Sequence, residues 1–314
     1  MLEHPKVVLG MITWMSGYGH LEETLNSLLN QSHKNFELVI YDDCSPEDPS
    51  GYLSRVASQD SRVTYIRGKK RLGAAKSFQN MLQLIDAKTD FFAWCPDHDI
   101  YHHEWLKELV SALLINKNTA VAYPLLVGID DKGHQNKRLP TVYDNSSMST
   151  LGRIKSFAFL PAGAGNIAHG LFRLSMLKRA GGWPENQILA DVVLILKLQK
   201  YGCVSLVKKI LFSRRDKEEQ NLFDQSINKR QLQMIYPEGI PISRKIFSGR
   251  MLNLMHLVKY SLFKSIFAKN ERFGYALAEC IFFSLKQILD IFLIILNRVF
   301  YNRIIRSALN LLKK

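Results

Sequence analysis

A run of apolar residues that ends in two acids most strongly limits how this chain can fold. Residues 91–99 read FFAWCPDHD, so a segment with the composition of a buried strand is followed at once by Asp97 and Asp99. Ligands of open α/β sheets bind beyond the carboxyl ends of the strands, so a strand ending in acids predicts a binding site there. The local alternative is that Asp97 lies in a turn and Asp99 caps the next helix.

The spacing of these two acids favours a metal ion as their ligand. Side chains at positions i and i+2 of an extended chain share a face, so Asp97 and Asp99 are expected to reach one cation. Carboxylates are hard oxygen ligands that suit Mg²⁺ or Mn²⁺ held together with the phosphates of a substrate. Asp-x-Asp is a common pattern, and by itself it leaves the local alternative open.

Strands and helices alternate through the first hundred residues. Four segments are predicted to be strands, at residues 6–14, 37–43, 62–67 and 90–95. Helical patterns lie between them, and such alternation predicts an α/β fold with a mostly parallel sheet flanked by helices. The hydrophobic content of 47% and the charged content of 22% are ordinary for a globular chain, which argues against disorder.

The second predicted strand also ends in acids. Asp42 and Asp43 close it, before a segment rich in turn-forming residues. Because parallel strands direct their carboxyl ends to one edge, both acidic pairs are expected to border one crevice that holds cations, hydroxyls or base N–H groups. The alternative is an Asx turn and helix cap that involve Ser45 and Pro46. We favour the ligand, since two pairs point to the same crevice.

Several blocks of sequence together indicate a family. They are the opening strand, LEETLNSLLNQSHKNFELVIYDDCSPED, RLGAAKSFQNML, PDHD, GNIAHGLFRLSMLKRAGGW and ADVVLILKLQKYG. In their order and spacing, over about residues 5–205, the chain resembles a family-2 glycosyltransferase of GT-A fold. The resemblance implies a Rossmann-like, mostly parallel sheet flanked by helices, with the catalytic domain over residues 1–242.

The same resemblance implies a site for a nucleotide sugar. Its residues in this chain are Thr13, Trp14, Asp42, Asp43, Arg71, Asp97, Gly165 and Asn166. Asp43 would accept a hydrogen bond from the base, Asp42 would lie close to the ribose, and Arg71 would contact the nucleotide. The tyrosine usual in the family at the start of the first loop is replaced here by Trp14 or Met15.

The metal motif and the catalytic base also follow from the resemblance. Asp97-His98-Asp99 would be the metal motif, with Asp99 as the direct ligand, and Asp191 would be the base. Asp191 is a single acid in the first turn of the apolar helical segment 188–198. The structural alternative is an acid that caps the helix or interacts with its dipole. Family members usually carry Glu before this Asp, where this chain has Ala190.

Other positions near the expected site have more than one interpretation. Residues 163–166 are small and would let the chain pass close to the sugar. His169 is either an acceptor contact or a structural residue. Arg214 and Arg215 either clamp a diphosphate, which suits the guanidinium fork, or form a solvated pair opposite the acids at 216–219.

Residues 243–314 form a basic tail with a different composition. They contain 13 Lys and Arg against 3 Asp and Glu, so the tail carries +10 of the net charge of +14. Apolar residues recur there at helical spacing, which predicts basic amphipathic helices that lie on an anionic membrane surface. The alternatives are helices that pack on the catalytic domain or form a homodimer interface.

Cysteine usage and the absence of a targeting segment predict where the protein works. The four cysteines lie far apart and show no metal-type spacing, as expected for reduced thiols. The N-terminus lacks the basic region of a signal peptide, and no uncharged apolar run approaches the ~18 residues of a spanning helix. We therefore expect a cytoplasmic protein, peripheral at the inner face of the membrane.

Together these patterns predict an inverting, metal-dependent hexosyltransferase. It would move a sugar from a nucleotide diphosphate-sugar, with a UDP-sugar as the expected donor, to a glycan or lipid-linked acceptor in cell-surface polysaccharide or glycoconjugate synthesis. Inversion and donor type come from the resemblance. The alternatives are a nucleotidyltransferase or a non-catalytic sugar-nucleotide- or membrane-binding protein of the same fold. Nucleic acid is not an expected partner, because the excess positive charge lies in apolar helices.

Overall fold

The computed structural model describes residues 5–15, 18–135, 142–159, 164–185 and 190–215. Within these ranges the chain forms one mixed sheet with helices on both faces. The strands are β1 Val7–Thr13, β2 Phe36–Asp42, β3 Val63–Arg67, β4 Phe91–Pro96, β5 Ile100–Tyr101, β6 Thr119–Ile129, β7 Leu171–Arg173 and β8 Cys203–Arg215. The helices are α1 Tyr18–Leu29, α2 Ser50–Gln59, α3 Ala74–Leu84, α4 Trp105–Ile115, α5 Thr150–Phe159, α6 Ala164–Ile167, α7 Leu174–Arg179 and α8 Ala190–Leu198.

The sheet has two halves of different character. Its strand order is β3-β2-β1-β4-β7-β6-β8-β5. Strands β3, β2, β1 and β4 are parallel, and the four segments predicted as strands match them to within one residue. In the other half, β7 is antiparallel to both β4 and β6, β5 is antiparallel to β8, and β6 is parallel to β8. The predicted α/β class is confirmed.

Two apolar clusters hold the helices against the sheet. On one face, α1, α2 and α4 bury their apolar stripes, for example Leu21, Leu25 and Leu28 of α1. On the other face, α3, α5, α6 and α8 pack against the opposite sides of the strands. Gly10 of β1 permits this close approach, because a Cβ atom there would lie 2.7 Å from the Met81 side chain of α3. The core therefore has three layers, helices over sheet over helices.

The strand order places a crevice where the first parallel strands end. Strand β1 lies between β2 and β4, so the chain leaves β1 to one side and returns to the sheet on the other. Thr13 at the end of β1 is level with Asp42 of β2, and Ile12 is level with Pro96 of β4. This is the topological switch point at which open α/β sheets bind ligands. Both acidic pairs of the sequence meet at this edge.

The basic tail lies outside the described residues. The division into a catalytic domain at 1–242 and a tail at 243–314 stays a prediction, as do membrane attachment and the alternative homodimer interface. Within the ranges that the structure covers, every helix is too short or too polar to span a bilayer.

Candidate active site

Trp14 and Arg71 form a stacked pair at the end of β1. The guanidinium carbon of Arg71 lies 3.5 Å from the centre of the Trp14 ring, a distance typical of a cation–π contact. Trp14 is partly buried, and it follows Thr13, whose side chain is buried. The structure thus brings together the three predicted nucleotide contacts Thr13, Trp14 and Arg71.

Asp43 holds the loop that carries Arg71. Its two carboxylate oxygens accept hydrogen bonds from the backbone N–H groups of Leu72 and Gly73, at 2.7 and 2.8 Å. Its own N–H donates to the carbonyl of Thr13 at 3.0 Å. Gly73, with φ 84°, precedes α3, so a carboxylate at this point also stabilises the start of the helix. The predicted contact of Asp43 with the base stays a prediction; in this structure the carboxylate positions Arg71.

Asp42 is enclosed within the protein. One carboxylate oxygen accepts from the N–H and the hydroxyl of Ser45, at 2.9 and 2.6 Å. The other accepts from Arg67 and, at 3.4 Å, from the Tyr65 hydroxyl. This is the local turn that the sequence offered as an alternative to ligand binding. Contact between Asp42 and the ribose stays a prediction, and the side chain has no exposed surface.

Backbone strain is concentrated at the ends of β1 and β2. Met15 and Cys44 have φ values of 54° and 58°, which residues other than glycine rarely adopt. The Ser45 hydroxyl accepts from the Met15 N–H at 3.3 Å and so links the two turns. Strained backbone that is held by neighbouring bonds is common at binding sites. It supports this edge of the sheet as the functional one.

The Asp97–Asp99 turn is bound to β8. Asp99 is 1% exposed, and one of its oxygens accepts from the backbone N–H of Arg215 at 2.8 Å. Burial raises the pKa of Asp99 to about 6, against the opposing effects of His98 and of that N–H. Asp97 lies 2.9 Å from the His98 ring nitrogen Nδ1. The residue that precedes α4 is Glu104, so Asp99 does not cap this helix.

The donor set at this turn fits a divalent cation that arrives with a diphosphate. Among the described residues, no group of three or more His, Cys, Asp or Glu side chains is arranged as a complete metal site. Asp97 and Asp99 supply two carboxylates, and Mg²⁺ typically takes one or two carboxylates together with substrate phosphates and water. The carboxylates of Asp97 and Asp99 therefore fit the protein's share of such a site.

Asp191 lies in the first turn of α8 beside α6. A Cβ atom at Gly165 would lie 3.4 Å from its Oδ2 atom, so the two predicted site residues are neighbours. Burial raises the pKa of Asp191, and backbone N–H groups of Val192 and of Asp191 itself oppose that rise. A desolvated carboxylate binds a proton more readily than one in water, which suits a general base. Asp191 also lies in the first turn of α8, where the predicted alternative, an interaction with the helix dipole, applies.

The two arginines at the end of β8 have different surroundings. Arg215 is buried, and its guanidinium donates to the carbonyls of His98, Asp130 and Asp131, each at 2.9 Å. It also donates to Glu23 of α1 at 2.5 Å. Arg215 is therefore neither a diphosphate clamp nor a solvated residue, the two roles predicted for it; it ties the metal-motif turn to the rest of the fold. Arg214 instead donates to the Asn166 side-chain oxygen at 2.9 Å.

His169 packs against β8, the strand that carries Arg214 and Arg215. Its ring packs 5.7 Å from that of Phe212, and its Nδ1 atom is buried without a hydrogen-bond partner. Burial, together with the charges of Arg214 and His98, lowers the pKa of His169 to about 3. The ring is therefore neutral at physiological pH. Of the two roles open from the sequence, this packing favours the structural one.

A turn before α8 is anchored to α3 by a residue that sequence reasoning missed. The Gln79 side-chain oxygen accepts from the Trp183 N–H at 2.7 Å. Gly182, with φ 68°, lets that oxygen approach, since a Cβ atom there would lie 2.4 Å from it. The Trp183 ring packs 4.6 Å from Phe78 and 5.3 Å from Trp94. Helix α3 thus connects the Arg71 loop at its start with the Trp183 turn.

The profile of the family described as Glycosyl transferase family 2 matches residues 11–180, more than half of the chain. This chain belongs to glycosyl transferase family 2. The matched range includes the ends of β1, β2 and β4 and therefore most of the crevice. The resemblance stated from the sequence is confirmed.

Curated relatives share parts of the chain. WcaA of Escherichia coli, named for colanic acid biosynthesis, is 28% identical over 132 residues, which are 41% of this chain and 44% of that protein. TuaG of Bacillus subtilis, named for teichuronic acid biosynthesis, is 31% identical over 64 residues, 20% of this chain and 25% of that protein. An uncharacterized glycosyltransferase of Haemophilus influenzae is 27% identical over 94 residues, 30% of this chain and 28% of that protein. The chain thus covers less than half the length of each.

Solved structures support the fold. Residues 1–349 of TarS from S. aureus superpose with a TM-score of 0.54 at 16% identity, covering 84% of this chain and 75% of that one. The same protein in complex with UDP-GlcNAc gives a TM-score of 0.53, also at 16% identity, and covers 84% of this chain and 76% of that one. At this identity the comparison carries the fold alone.

Proposed function

We propose that this protein is an inverting hexosyltransferase of cell-surface polysaccharide or glycoconjugate synthesis. It transfers a sugar from a nucleotide diphosphate-sugar to a hydroxyl of a glycan or lipid-linked acceptor. The observation that carries the proposal is the link between the acidic turn after β4 and Asp191. The N–H of Arg215 binds Asp99, Arg214 binds Asn166, and Gly165, next to Asn166, adjoins Asp191. A donor diphosphate and a proton acceptor are the two things that such a transfer needs.

A uridine nucleotide is the donor class that we favour. Two of the similar solved structures are complexes of TarS, one with UDP-GlcNAc and the other with UDP. In this chain the Arg71 guanidinium stacks on the Trp14 ring at the end of β1, and a planar guanidinium suits a contact with phosphate oxygens. Asp43 fixes the loop that presents Arg71. These contacts form the nucleotide side of the proposed site.

Asp97 and Asp99 would hold Mg²⁺ or Mn²⁺ at the diphosphate. When bound, the cation neutralises negative charge on the phosphates. Arg215 holds the acidic turn in position, because its backbone N–H donates to Asp99 and its guanidinium donates to the His98 carbonyl. The protein thereby keeps the acidic turn in place before any ligand arrives, which lowers the cost of binding.

Asp191 accepts the proton of the attacking acceptor hydroxyl. The hydroxyl oxygen forms a bond to the anomeric carbon from the face opposite the diphosphate, and the bond from that carbon to the phosphate oxygen breaks. The nucleoside diphosphate leaves with the bonding electron pair, and the configuration of the sugar is inverted. The raised pKa of Asp191 makes the carboxylate a better proton acceptor than one in water. Gly165 leaves room for the reacting groups beside it.

Thermal stabilisation of the full chain by nucleotide sugars tests this proposal. Ligands that bind only the folded state raise its melting temperature by mass action. A panel of UDP-, GDP-, dTDP-, ADP- and CDP-sugars is measured with Mg²⁺, with Mn²⁺ and with EDTA, and free sugars serve as controls. We expect one nucleotide class, the UDP-sugars, to raise the melting temperature, and the divalent cation to increase the shift. If no nucleotide sugar stabilises the protein under any condition, the proposed function is wrong.

A further inference from the structure

The last two residues of β8 direct their side chains to opposite faces of the sheet. Successive side chains of a strand alternate between the two faces. Arg215 is directed to the face of α1, where its guanidinium binds Glu23. Arg214 is directed to the face of α6, where it binds Asn166. The two arginines are adjacent in sequence and equal in charge, yet their side chains contact helices on opposite faces of the sheet.

Arg215 is an example of a structural arginine in this fold. It is 6% exposed, and its guanidinium donates to three backbone carbonyls and one carboxylate. A buried guanidinium needs such a set, because an unpaired buried charge is strongly destabilising. All three nitrogens of the Arg215 guanidinium therefore donate to the protein itself. The diphosphate clamp suggested by the sequence therefore does not include it.

Arg214 has a different environment. It is partly exposed, and it donates to the neutral side-chain oxygen of Asn166 at 2.9 Å. The backbone N–H of the next residue, Arg215, donates to Asp99 at 2.8 Å, so the end of β8 that carries Arg214 adjoins the metal-motif turn.

The partner of Arg214 connects it with the catalytic side of the crevice. Asn166 is buried in α6, and the preceding residue, Gly165, adjoins the carboxylate of Asp191. Arg214 is thus linked through the next residue to Asp99, the acid that would hold the metal, and through Asn166 to the helix beside Asp191, the acid that would accept the proton. In the proposed reaction, negative charge grows on the leaving diphosphate.

We propose that Arg214 binds the diphosphate of the donor and neutralises the charge on the leaving nucleoside diphosphate. The proposal rests on the proposed function and adds a residue to it. The planar guanidinium matches phosphate oxygens in a two-pronged contact, which a lysine ammonium does not reproduce. Asn166 holds the side chain in position, because its side-chain oxygen accepts a hydrogen bond from the guanidinium at 2.9 Å.

Calorimetric titration of the full chain separates the phosphate contact from the rest of the nucleotide. The probes are UDP, GDP, ADP, CDP and dTDP, each with its matching nucleoside, and the diphosphate that binds wild type most tightly is then used with its nucleoside. The variants are Arg214→Gln, Arg214→Lys and, as a control, Lys209→Gln. Lys209 lies on the same strand but pairs with Glu108 at 2.9 Å, away from the crevice.

We expect Arg214→Gln to weaken diphosphate binding by about ten- to a hundredfold and to leave nucleoside binding unchanged, because one charge-assisted contact is lost. Arg214→Lys, which keeps the charge without the fork, is expected to weaken it several-fold. If Arg214→Gln does not fold, Arg214→Lys is used to test the proposal in its place. Lys209→Gln is expected to bind as wild type does.

Two results would overturn the proposal. One is wild-type diphosphate affinity in the Arg214 variants, and the other is an equal loss for nucleoside and diphosphate, which indicates a structural role. If wild type binds no nucleoside diphosphate at all, the proposed transfer from a nucleotide sugar is contradicted, and so is the role of Arg214. Failure of the inference alone is therefore distinguishable from failure of the function.

Discussion

The two sides of the crevice use their carboxylates in different ways. At the end of β2, Asp42 accepts four hydrogen bonds from the protein and Asp43 accepts two, and together they hold two turns in place. At β4 and α8, Asp99 and Asp191 are desolvated, and burial raises the pKa of both. Acids of the first kind build the framework of the site. Acids of the second kind are destabilised as anions, and a cation or a proton relieves that cost.

The acidic turn is expected to give the largest effect when this comparison is tested. Asp99→Asn removes a carboxylate from the proposed cation site, and we expect transfer to fall by about a thousandfold or more, since metal ions contribute several kcal/mol to such reactions. EDTA should have a similar effect on wild type. The measurement is release of the nucleoside diphosphate from the stabilising nucleotide sugar. Asp131→Asn, which changes an exposed acid, is the control, and equal rates in Asp99→Asn and wild type would contradict the metal assignment.

A substitution at Asp42 tests the structural role of the acids at the end of β2. Asp42→Ala removes the shared acceptor of Arg67 and Ser45, although Arg67 keeps Asp48 as a partner. We expect the free energy of unfolding to fall by about 1 to 3 kcal/mol, because the buried Ser45 hydroxyl and N–H lose their acceptor. Urea unfolding followed by circular dichroism measures the change. An Asp42 variant of wild-type stability with weakened nucleotide binding would show that this acid serves the ligand instead.

The stacked pair at the end of β1 is expected to give an intermediate effect. Arg71→Ala removes the guanidinium from Trp14, and we expect the affinity for the nucleoside diphosphate to fall about tenfold through loss of a phosphate contact. Stability should change little, because the Asp43 hydrogen bonds go to backbone atoms that remain. Calorimetry together with a melting curve checks both. An unchanged affinity would remove Arg71 from the nucleotide site.

The Trp183 turn is expected to give the smallest effect. Gly182→Ala forces a Cβ atom against the Gln79 side chain at a residue with positive φ, and we expect a loss of about 1 to 2 kcal/mol in the free energy of unfolding. Gly181→Ala is a matched control, because its φ of 92° is also positive but no atom lies within 4 Å of the added Cβ. A loss in Gly182→Ala no larger than that in Gly181→Ala would mean that the Gln79 contact is unimportant.

The sequence predicted the first half of the fold better than the second. Strands β1 to β4 are separated by helical patterns, so their composition and spacing are informative. Strand β7 has three residues and β5 has two, which is too short for a periodic signal. Strand β8 was missed because its middle is exposed around Lys208 and Lys209, which interrupts the pattern of a buried strand.

Sequence motifs indicated the candidate site residues, which stay predictions, but gave no sign of the contacts between distant residues. The acidic pairs and Asp191 follow from sequence blocks, and Gly165 does lie beside Asp191. The hydrogen bond between Gln79 and Trp183 joins residues 104 positions apart, and nothing in either segment indicates it. Likewise, the contrast between Arg214 and Arg215 depends on which face of β8 each one occupies, which became visible only with the strand in place.

The rate of transfer as a function of pH, in wild type and in Asp191→Asn, tests the central claim most directly. The pKa of Asp191 is raised, and the base must be deprotonated to act, so wild-type activity should fall as the pH drops through a value above the ~3.9 of an ordinary aspartate. Asp191→Asn should bind the donor normally and lose about a hundred- to ten-thousandfold in rate. Wild-type rates in Asp191→Asn would contradict the assignment of the base and, with it, the division of the crevice into framework and chemistry.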